Sequence, residues 1–403
     1  MVRQAQTRGL PGKVESLFPK AVQEDLLALR RDLHRHPELA FHEDRTAEIL
    51  QTALQAIHPL WVKRVAGTGV AARIRGRRSD APVVAIRGDI DALPVQEETG
   101  LDFASIVPGV MHACGHDIHA AWTVGAAWLL AHNPPAGDVM IVLQPAEEKG
   151  TGAKAVLKSG VLSDVSAIFA GHVDQRFLTG QIVAQAGPVS ASADAFHICL
   201  RGRGGHGARP HEAVDPVVGL GALIPALQTV VSRRIQPDKP AVLSVGSVSA
   251  GNAPNVIPDT ATMTGTIRAL DPAVRKQIHK ALRHITEKTA AAHGLKAEVD
   301  IEDGTPSVIN SVRATDWARS AGVSLLGERS VVQAGLHNLG GEDFSFYLKR
   351  MEGCFLRIGA RKPGRKGMPA HTSRYAPDEN ALFVGAAVLA ESVRRASETL
   401  ASD

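Results

Sequence analysis

The sequence has few of the features that mark secreted, disulfide-bonded or membrane-embedded proteins. Its 403 residues include only three cysteines, Cys114, Cys199 and Cys354, which are odd in number and far apart. This argues against a disulfide framework and fits a reducing compartment. Residues 1–20 show no sustained apolar run typical of a signal peptide. No stretch reaches the roughly 18 continuous apolar residues of a membrane span. We therefore expect a cytoplasmic protein without a membrane partner.

The chain also lacks a strong charge of either sign. Forty-five basic side chains stand against 41 acidic ones, which leaves a net charge of +4. That bias is too small to predict nucleic-acid or membrane binding. The run RGRGGHG at 201–207 could be read as an arginine–glycine nucleic-acid tract, but it occurs once, as a short copy inside a βα pattern. We expect no nucleic-acid partner.

What the chain does contain is an alternation of helical and strand patterns. Amphipathic helical periods alternate with nearly all-apolar runs at 83–86 and 139–143, which are typical of strands covered on both faces. Polar residues follow these strands, as in GDID at 88–91 and QPAEE at 144–148. This pattern predicts an α/β fold with an open mixed sheet flanked by helices, whose site lies along the carboxyl edge of the strands.

The pattern changes near residue 190, where the order of elements becomes βαββαβ. That order predicts a ferredoxin-like α+β domain of the usual size for an insertion. After residue 303 the α/β pattern resumes. We therefore expect a discontinuous sheet domain at 1–188 and 303–403, interrupted by a smaller domain at 189–302.

The motif MHACGHDIHAAW at 111–122 carries the clearest chemistry. Cys114 and His116 present a sulfur and a nitrogen on a turn directly before a helical pattern. Such a pair suits zinc, nickel or another late divalent metal. The adjacent helix N-terminus should also favour the thiolate form of Cys114. Further polar groups at strand ends could complete a site: Glu147, Glu148, His172 and His371.

The adjacent glutamates Glu147 and Glu148 are unusual at the end of a buried strand, because two carboxylates repel each other unless cations hold them. If one is a ligand, the other can act as the general base of metal-assisted hydrolysis. Two metals about 3.5–4 Å apart could bridge a water and polarise a carbonyl. The alternative is a solvated helix start. Most of the 17 histidines are expected to be surface or core residues, and His112 and His119 are expected to stay off the metal.

The motifs together resemble those of a known family. The sequence is similar to the hippurate hydrolase and indole-acetyl-amino-acid amidohydrolase branch of the dinuclear metallopeptidase and aminoacylase superfamily. The resemblance runs from RRDLHRHPELAFHE at 30–43 to HTSRYAPDENAL at 371–382. Between them stand GDIDALPVQE, MHACGHDIH, QPAEE, GRGGHGARPH, APNVIPD, GTIRAL and GGEDFSFY, in the family's order. The resemblance implies a zinc-peptidase-like catalytic domain with an inserted lid and dimerisation domain.

The resemblance also implies roles for individual residues. Two divalent metal ions per subunit (zinc, manganese, nickel or cobalt) would be held by Cys114, His116, Glu148, His172 and His371. Glu147 would move a proton from the bridging water to the leaving amine, and Asp91 would orient a ligand. His206 would help stabilise the oxyanion, often from the partner subunit, while Asn255 and Arg268 would contact substrate. The family further implies a homodimer or higher homo-oligomer.

The predicted function is a metal-dependent amidohydrolase that cleaves the amide bond of an N-acyl amino acid to a carboxylic acid and a free amino acid through a metal-bridging hydroxide. A dipeptidase or carboxypeptidase with the same dinuclear centre is the main alternative. A thiol amidase with Cys114 as nucleophile and His116 as base is another, and a non-catalytic binding protein is a third. The native metal, the bridging ligand and the acyl group stay open.

One stretch departs from the family pattern. Relatives usually follow the strand-end histidine with apolar or proline-containing sequence, whereas His172 is followed here by VDQRF at 173–177. Asp174 and Arg176 could alter the mouth of a substrate pocket. The departure therefore bears on the substrate and leaves the chemistry intact.

Overall fold

A computed structural model describes residues 10–335 and 338–403, which form two compact units. The first unit comprises the described chain up to Gly187 together with Ile309–Gly335 and Phe346–Asp403. The second comprises Pro188–Val308 and the described part of the segment that ends at Ser345. The sequence predicts breaks after residues 188 and 302, which assigns residues 338–345 to the sheet domain.

The helices and strands follow one another along both units. In chain order they are α1 (Gly12–Glu15), α2 (Lys20–Arg35), α3 (Asp44–Gln55), β1 (Trp61–Val65), β2 (Gly69–Ile74), β3 (Val83–Asp89), α4 (His116–His132), β4 (Val139–Gln144), α5 (Gly152–Lys158), β5 (Val165–Leu178), β6 (Ile182–Val183), β7 (Gly187–Ser190), β8 (Ser192–Arg201), β9 (Gly205–His206), α6 (Pro216–Arg234), β10 (Ala241–Ala250), β11 (Val256–Ile257), β12 (Thr260–Ala269), α7 (Pro272–Ala292), β13 (Lys296–Thr305), β14 (Val308–Asn310), α8 (Val312–Leu326), α9 (Ser345–Leu348), β15 (Glu352–Arg361) and α10 (Ala381–Leu400). Short 3-10 helices occupy Pro210–Glu212 and Glu328–Ser330.

The first unit is built on a seven-stranded mixed sheet with the order β1-β2-β4-β3-β5-β15-β6. Strand β3 runs parallel to β4 and β5, and β15 runs parallel to β5. Every residue of β3 and β4 is buried, which explains their nearly continuous apolar sequences. Because parallel strands end at the same edge, the residues after β3 and β4 are brought together there.

Strand β5 differs from the sequence expectation. The apolar run suggested a strand that stops at residue 170, before His172. The strand in fact continues to Leu178 because β15 pairs with it beyond that point, with His172 opposite Arg357 and Asp174 opposite Gly359. His172 therefore projects from within a paired strand.

The turn before α4 depends on one glycine. Gly115 has a φ of 88°, and a Cβ added there would lie 2.6 Å from Cγ2 of Val173. Glycine is thus required by both the left-handed backbone and the available space. The turn directs Cys114 and His116 toward the edge of the sheet where the parallel strands end, and the helix that follows is almost wholly buried.

The second unit is a four-stranded antiparallel sheet with the order β10-β12-β8-β13, covered on one face by α6 and α7. Both helices begin after an aspartate N-cap: Val217 N–H donates to Asp215 at 2.8 Å, and Ala273 N–H donates to Asp271 at 2.8 Å. The βαββαβ order predicted from sequence is present. The strand expected at 256–268 is broken into β11 and β12 around Pro258, because proline cannot donate a ladder hydrogen bond.

Helix α6 is the one helix among the described residues that is long and apolar enough to cross a membrane by length and composition. Its apolar side chains include Leu220, Leu223 and Leu227, which are buried in the core of the second unit. Packing against the sheet accounts for this composition.

Helix α10 packs closely on α4 at Gly385. A Cβ at that position would lie 2.2 Å from Cε3 of the buried Trp122 ring. We expect Gly385→Ala to lower the free energy of unfolding by about 1–3 kcal/mol, because a rigid indole in a filled core cannot move aside. Thermal and urea unfolding measure the effect. The control is Gly12→Ala in α1, where a Cβ meets nothing within 4 Å. Equal stability of the two variants would contradict this packing.

Candidate metal centre

The carboxyl edge of the first unit's sheet brings five predicted ligands together, and we call this set the candidate metal centre. Cys114 Sγ lies 3.3 Å from Nε2 of His172 and 3.3 Å from Nε2 of His371. Glu148 Oε1 lies 3.5 Å from Nε2 of His371 and 3.8 Å from Nε2 of His116. Donors that share a tetrahedral cation at about 2.0–2.3 Å are about 3.3–3.8 Å from one another. The spacing is therefore that of metal ligands.

The donors fall into overlapping groups of three, within each of which the ligand atoms lie no more than 4.8 Å apart. Three of these groups are Cys114–His116–His172, Cys114–Glu148–His371 and His116–Glu147–Glu148. Cys114, His116 and Glu148 each belong to two of them. The overlap shows that the donors converge on one region of the sheet edge.

Unsatisfied polar atoms in the candidate metal centre also point to a cation. Nε2 of His116 and Oε1 of Glu148 are buried and have no hydrogen-bond partner. His172 donates from Nδ1 to the carbonyl of Val173 at 2.8 Å, which leaves the lone pair of its Nε2 directed at Cys114. Buried polar groups are rarely left unpaired. This donor set fits a late divalent metal ion.

The protonation of Cys114 corrects one expectation from the sequence. Burial and the neighbouring Glu148 carboxylate raise the pKa of Cys114 to about 12, so the helix N-terminus does not make this thiol acidic by itself. The largest cause is desolvation, which disfavours the charged thiolate in an enclosed site. A bound cation reverses that balance, because a coordinating thiol is deprotonated by the ion.

The aspartates after β3 set the electrostatics of His116. Burial disfavours a charged imidazole, but the nearby Asp89 and Asp91 carboxylates outweigh this and raise the pKa of His116 well above its ordinary value. Nδ1 of His116 lies 3.2 Å from Oδ1 of Asp91. That contact orients the ring so that Nε2 faces Glu148.

Asp91 also holds the backbone of the two glutamates. Glu147 N–H donates to Oδ1 of Asp91 at 3.1 Å, and Glu148 N–H donates to Oδ2 at 3.0 Å. Burial opposes ionisation of Glu148, but the nearby imidazoles of His371 and His116 outweigh it and lower the pKa of Glu148. The Glu148 carboxylate in turn raises the pKa of His371.

His119, which lies near the motif, has surroundings unlike those of a ligand. Nδ1 of His119 lies 2.6 Å from Oδ1 of Asp89, and its Nε2 accepts a hydrogen bond from Val173 N–H at 3.0 Å. Both ring nitrogens are therefore engaged. His112 is buried with neither ring nitrogen hydrogen-bonded, and burial lowers its pKa to about 3.

A buried network behind the candidate metal centre was missed from the sequence. Nη1 of Arg87 donates to Oδ2 of Asp89 at 2.5 Å, and Nε of Arg87 donates to Oε1 of Gln144 at 2.8 Å. The Tyr347 hydroxyl donates to the same oxygen at 3.0 Å. An arginine within an otherwise apolar strand was the available signal, since a buried guanidinium requires partners. The network holds the Asp89 carboxylate in place, and Asp89 in turn holds the His119 ring.

The departure at 173–177 forms a local pair. The Nε and Nη2 atoms of Arg176 donate to the carboxylate of Asp174 at 3.0 and 2.6 Å. Asp174 is buried, while nearly half of the Arg176 side chain is exposed. The two charges compensate each other, so neither stands alone beside His172.

The other three predicted site residues lie in the second unit. His206, on β9, is exposed and accepts at Nδ1 from Ala208 N–H at 3.1 Å. The carbonyl of Asn255 accepts from Gly207 N–H at 2.8 Å, so His206 and Asn255 are neighbours. Arg268 lies near the end of β12, opposite Val242 and Ala193. The structure brings two of the three side by side and places Arg268 elsewhere in the unit.

Comparison with known proteins adds an independent finding. Residues 85–395 match the model of Peptidase family M20/M25/M40. An N-acetylcysteine deacetylase of Bacillus subtilis (strain 168) is 42% identical over 92% of this chain and 97% of its own length. The Arabidopsis thaliana IAA-amino acid hydrolase ILR1-like 5 is 35% identical over 92% of this chain and 86% of its own.

A solved structure agrees with these matches. The crystal structure of the Bacillus subtilis YXEP protein, described as a dinuclear metal binding peptidase of the M20 family, is 38% identical, with a TM-score of 0.84. The match covers 94% of this chain and 100% of the solved chain. The predicted α/β class is thereby confirmed. The chain belongs to peptidase family M20/M25/M40 and is a metal-dependent hydrolase of amide bonds.

Proposed function

We propose that the protein hydrolyses the amide bond of an N-acyl amino acid, releasing a carboxylic acid and a free amino acid. The convergence of Cys114, His116, Glu148, His172 and His371 beside Glu147 is the observation that carries this proposal. The names of the two relatives support it, since N-acetylcysteine and an IAA–amino acid conjugate are both acylated amino acids.

The same five side chains would hold two divalent cations per subunit. Thiolate and imidazole donors favour zinc, nickel or cobalt, and manganese is the further candidate. Such ions polarise a carbonyl and lower the pKa of water. Asp91 would serve this centre by holding the His116 ring and the backbone of Glu147 and Glu148 in place.

Glu147 would carry the proton of the reaction. Its carboxylate lies within 4.8 Å of donor atoms of His116 and Glu148, beside the position where water and the scissile amide would meet. It would take a proton from the attacking water and deliver it to the departing amine. The protonated amine is then a good leaving group.

Residues of the second unit would complete substrate recognition, in the role of a lid. The exposed imidazole of His206 would donate to the developing oxyanion, which is worth a few kcal/mol in such sites. Asn255 would contact the substrate, and Arg268 would bind its α-carboxylate as a bidentate pair.

The second unit would also form a homodimer, through β10. This edge strand carries no charged residue in the sequence AVLSVGSVSA, whereas the opposite edge, β13, exposes Lys296, Glu298 and Glu302. Proteins usually protect free edges with charge, so an unprotected one is suited to pair with a second copy. Exposed Val217 and Val218 of the neighbouring α6 add apolar surface.

The three buried, free cysteines are compatible with a cytoplasmic location.

A dipeptidase or carboxypeptidase is the second candidate, because the solved relative is described as a peptidase. Its chemistry would use the same candidate metal centre. A thiol amidase is disfavoured, since the pKa of Cys114 is raised to about 12 whereas a thiol nucleophile needs a lowered one.

A substrate panel tests the proposed function. We expect N-acetyl, N-benzoyl and indole-acetyl amino acids to be hydrolysed with higher kcat/KM than dipeptides with a free amino group. Stripping the metals with a chelator should abolish this activity, and zinc, manganese, nickel or cobalt should restore it. Faster turnover of the dipeptides would favour the peptidase, and activity that survives complete metal removal would refute the metal-dependent mechanism.

The role of Glu147 is tested by Glu147→Gln. We expect kcat to fall by about 10²- to 10⁴-fold, with metal content and melting temperature unchanged, because only the proton carrier is lost. Glu148→Gln should instead lose metal. Glu24→Gln on the exposed face of α2 is the matched control. Near-normal turnover of the Glu147 variant would rule out the assigned base.

The dimer is tested at the edge strand. We expect Val248→Lys on β10 to halve the mass measured by light scattering, because a lysine on the free edge opposes pairing with a second copy. Val312→Lys, at a more exposed valine of the first unit, is the control. A Val248 variant that keeps the wild-type mass would show that the subunits do not associate through β10.

A further inference from the structure

A fully buried carboxylate, Glu43, stands outside the candidate metal centre and has no part in the chemistry described above. It is the residue before α3 and has no solvent exposure. Glutamate is almost never fully buried unless it is paired, yet within the described ranges no ion pair involves Glu43. Its partners are hydrogen-bond donors: Ala146 N–H at 2.9 Å and the Thr68 hydroxyl. Burial raises the pKa of Glu43, and these hydrogen bonds counter part of that shift.

The donor at Ala146 belongs to the turn that presents Glu147 and Glu148. Ala146 has a φ of 54°, a left-handed conformation that is uncommon for a residue with a Cβ. Such conformations persist only where the surroundings hold them. Removing the bond to Glu43 would therefore favour relaxation of this residue, and the two glutamates that follow would change direction.

The same turn is tightly enclosed on both sides. A Cβ added at Gly69 would lie 2.7 Å from Cδ of Pro145. A Cβ added at Gly152 would lie 1.7 Å from the carbonyl oxygen of Pro145. The backbone thus passes between β2 and the start of α5 with no room to spare. Thr68, which donates to Glu43, directly precedes Gly69, so one carboxylate ties the turn to β2.

Glu43 and Asp91 accept hydrogen bonds from different residues of the same turn. Glu43 accepts from the N–H of Ala146, and Asp91 accepts from the N–H groups of Glu147 and Glu148. Three consecutive backbone N–H groups therefore donate hydrogen bonds to two buried carboxylates. We propose that Glu43 is a positioning residue of the active site, which acts through the Ala146 backbone to aim Glu147 and Glu148. This inference rests on the roles proposed above for those two glutamates.

The test compares Glu43→Ala with Glu43→Gln. The glutamine retains an oxygen for Ala146 N–H, and its amide can donate to the Thr68 oxygen, so we expect turnover and metal affinity near wild type. The alanine removes the acceptor. We expect it to lower kcat and the affinity for Zn²⁺ by about 10- to 100-fold each, with KM little changed, as for other residues that orient ligands.

The matched control is Glu38→Ala. Glu38 accepts from the N–H groups of Arg45 and Thr46 at 3.2 and 2.7 Å and so caps the same helix, α3. We expect this variant to lower the melting temperature while kcat and Zn²⁺ affinity stay at wild type. If Glu43→Ala behaves in the same way, Glu43 is merely structural and the proposal is overturned.

A second variant covers failure of Glu43→Ala to fold. Thr68→Val removes the hydroxyl that anchors Glu43 while conserving volume, and we expect a smaller loss of kcat at unchanged KM. Wild-type kcat and Zn²⁺ affinity in that variant would overturn the proposal. Zn²⁺ affinity, measured by competition with a chromophoric chelator, needs no substrate. If the wild-type protein hydrolyses no N-acyl amino acid, the proposed function fails, while the Zn²⁺ affinities still decide the role of Glu43.

Discussion

The candidate metal centre depends on one buried carboxylate that joins two separate parts of the chain. Asp91 engages the His116 ring at the start of α4 and accepts hydrogen bonds from the backbone of Glu147 and Glu148 after β4. Asp91 therefore holds the His116 ring and the turn that carries the two glutamates in a fixed position relative to each other. A short side chain at the end of a rigid strand suits this task, because its own position varies little.

The cluster around Asp91 is electrostatically incomplete as protein alone. A thiol with a raised pKa, a histidine nitrogen without a hydrogen-bond partner and a carboxylate oxygen in the same condition lie within a few ångströms of one another. Interiors tolerate such groups only when something compensates them. Divalent cations would compensate all of them at once, which explains why the fold gathers these side chains here. Glu43 would act one step further from the metal, because it binds the backbone of Ala146 and not a metal ligand.

The two edges of the second unit's sheet differ in charge. Strand β13 carries exposed charges of both signs, and these discourage pairing with another strand. Strand β10 carries none. A difference of this kind within one small sheet is readable in the printed sequence, but only after the strand order identifies which strands are edges.

The sequence by itself determined the elements and much of the chemistry. Apolar runs predicted β3 and β4, helical periods predicted α8 at its observed bounds, and adjacent glutamates after a buried strand predicted a charged site. These signals are local, because side-chain periodicity follows from the geometry of a single helix or strand. The motif order identified the family, since so many motifs in one order are unlikely to recur by chance.

Only the tertiary structure decided how distant groups meet and what their surroundings do to them. His371 reaches Cys114 across 257 positions, β15 extends β5 beyond His172, and Glu43 reaches the turn at Ala146. The pKa of Cys114 rises although it stands before a helix. Each outcome depends on long-range packing and on the loss of water from an enclosed site, and no spacing of residues along a chain encodes either one directly.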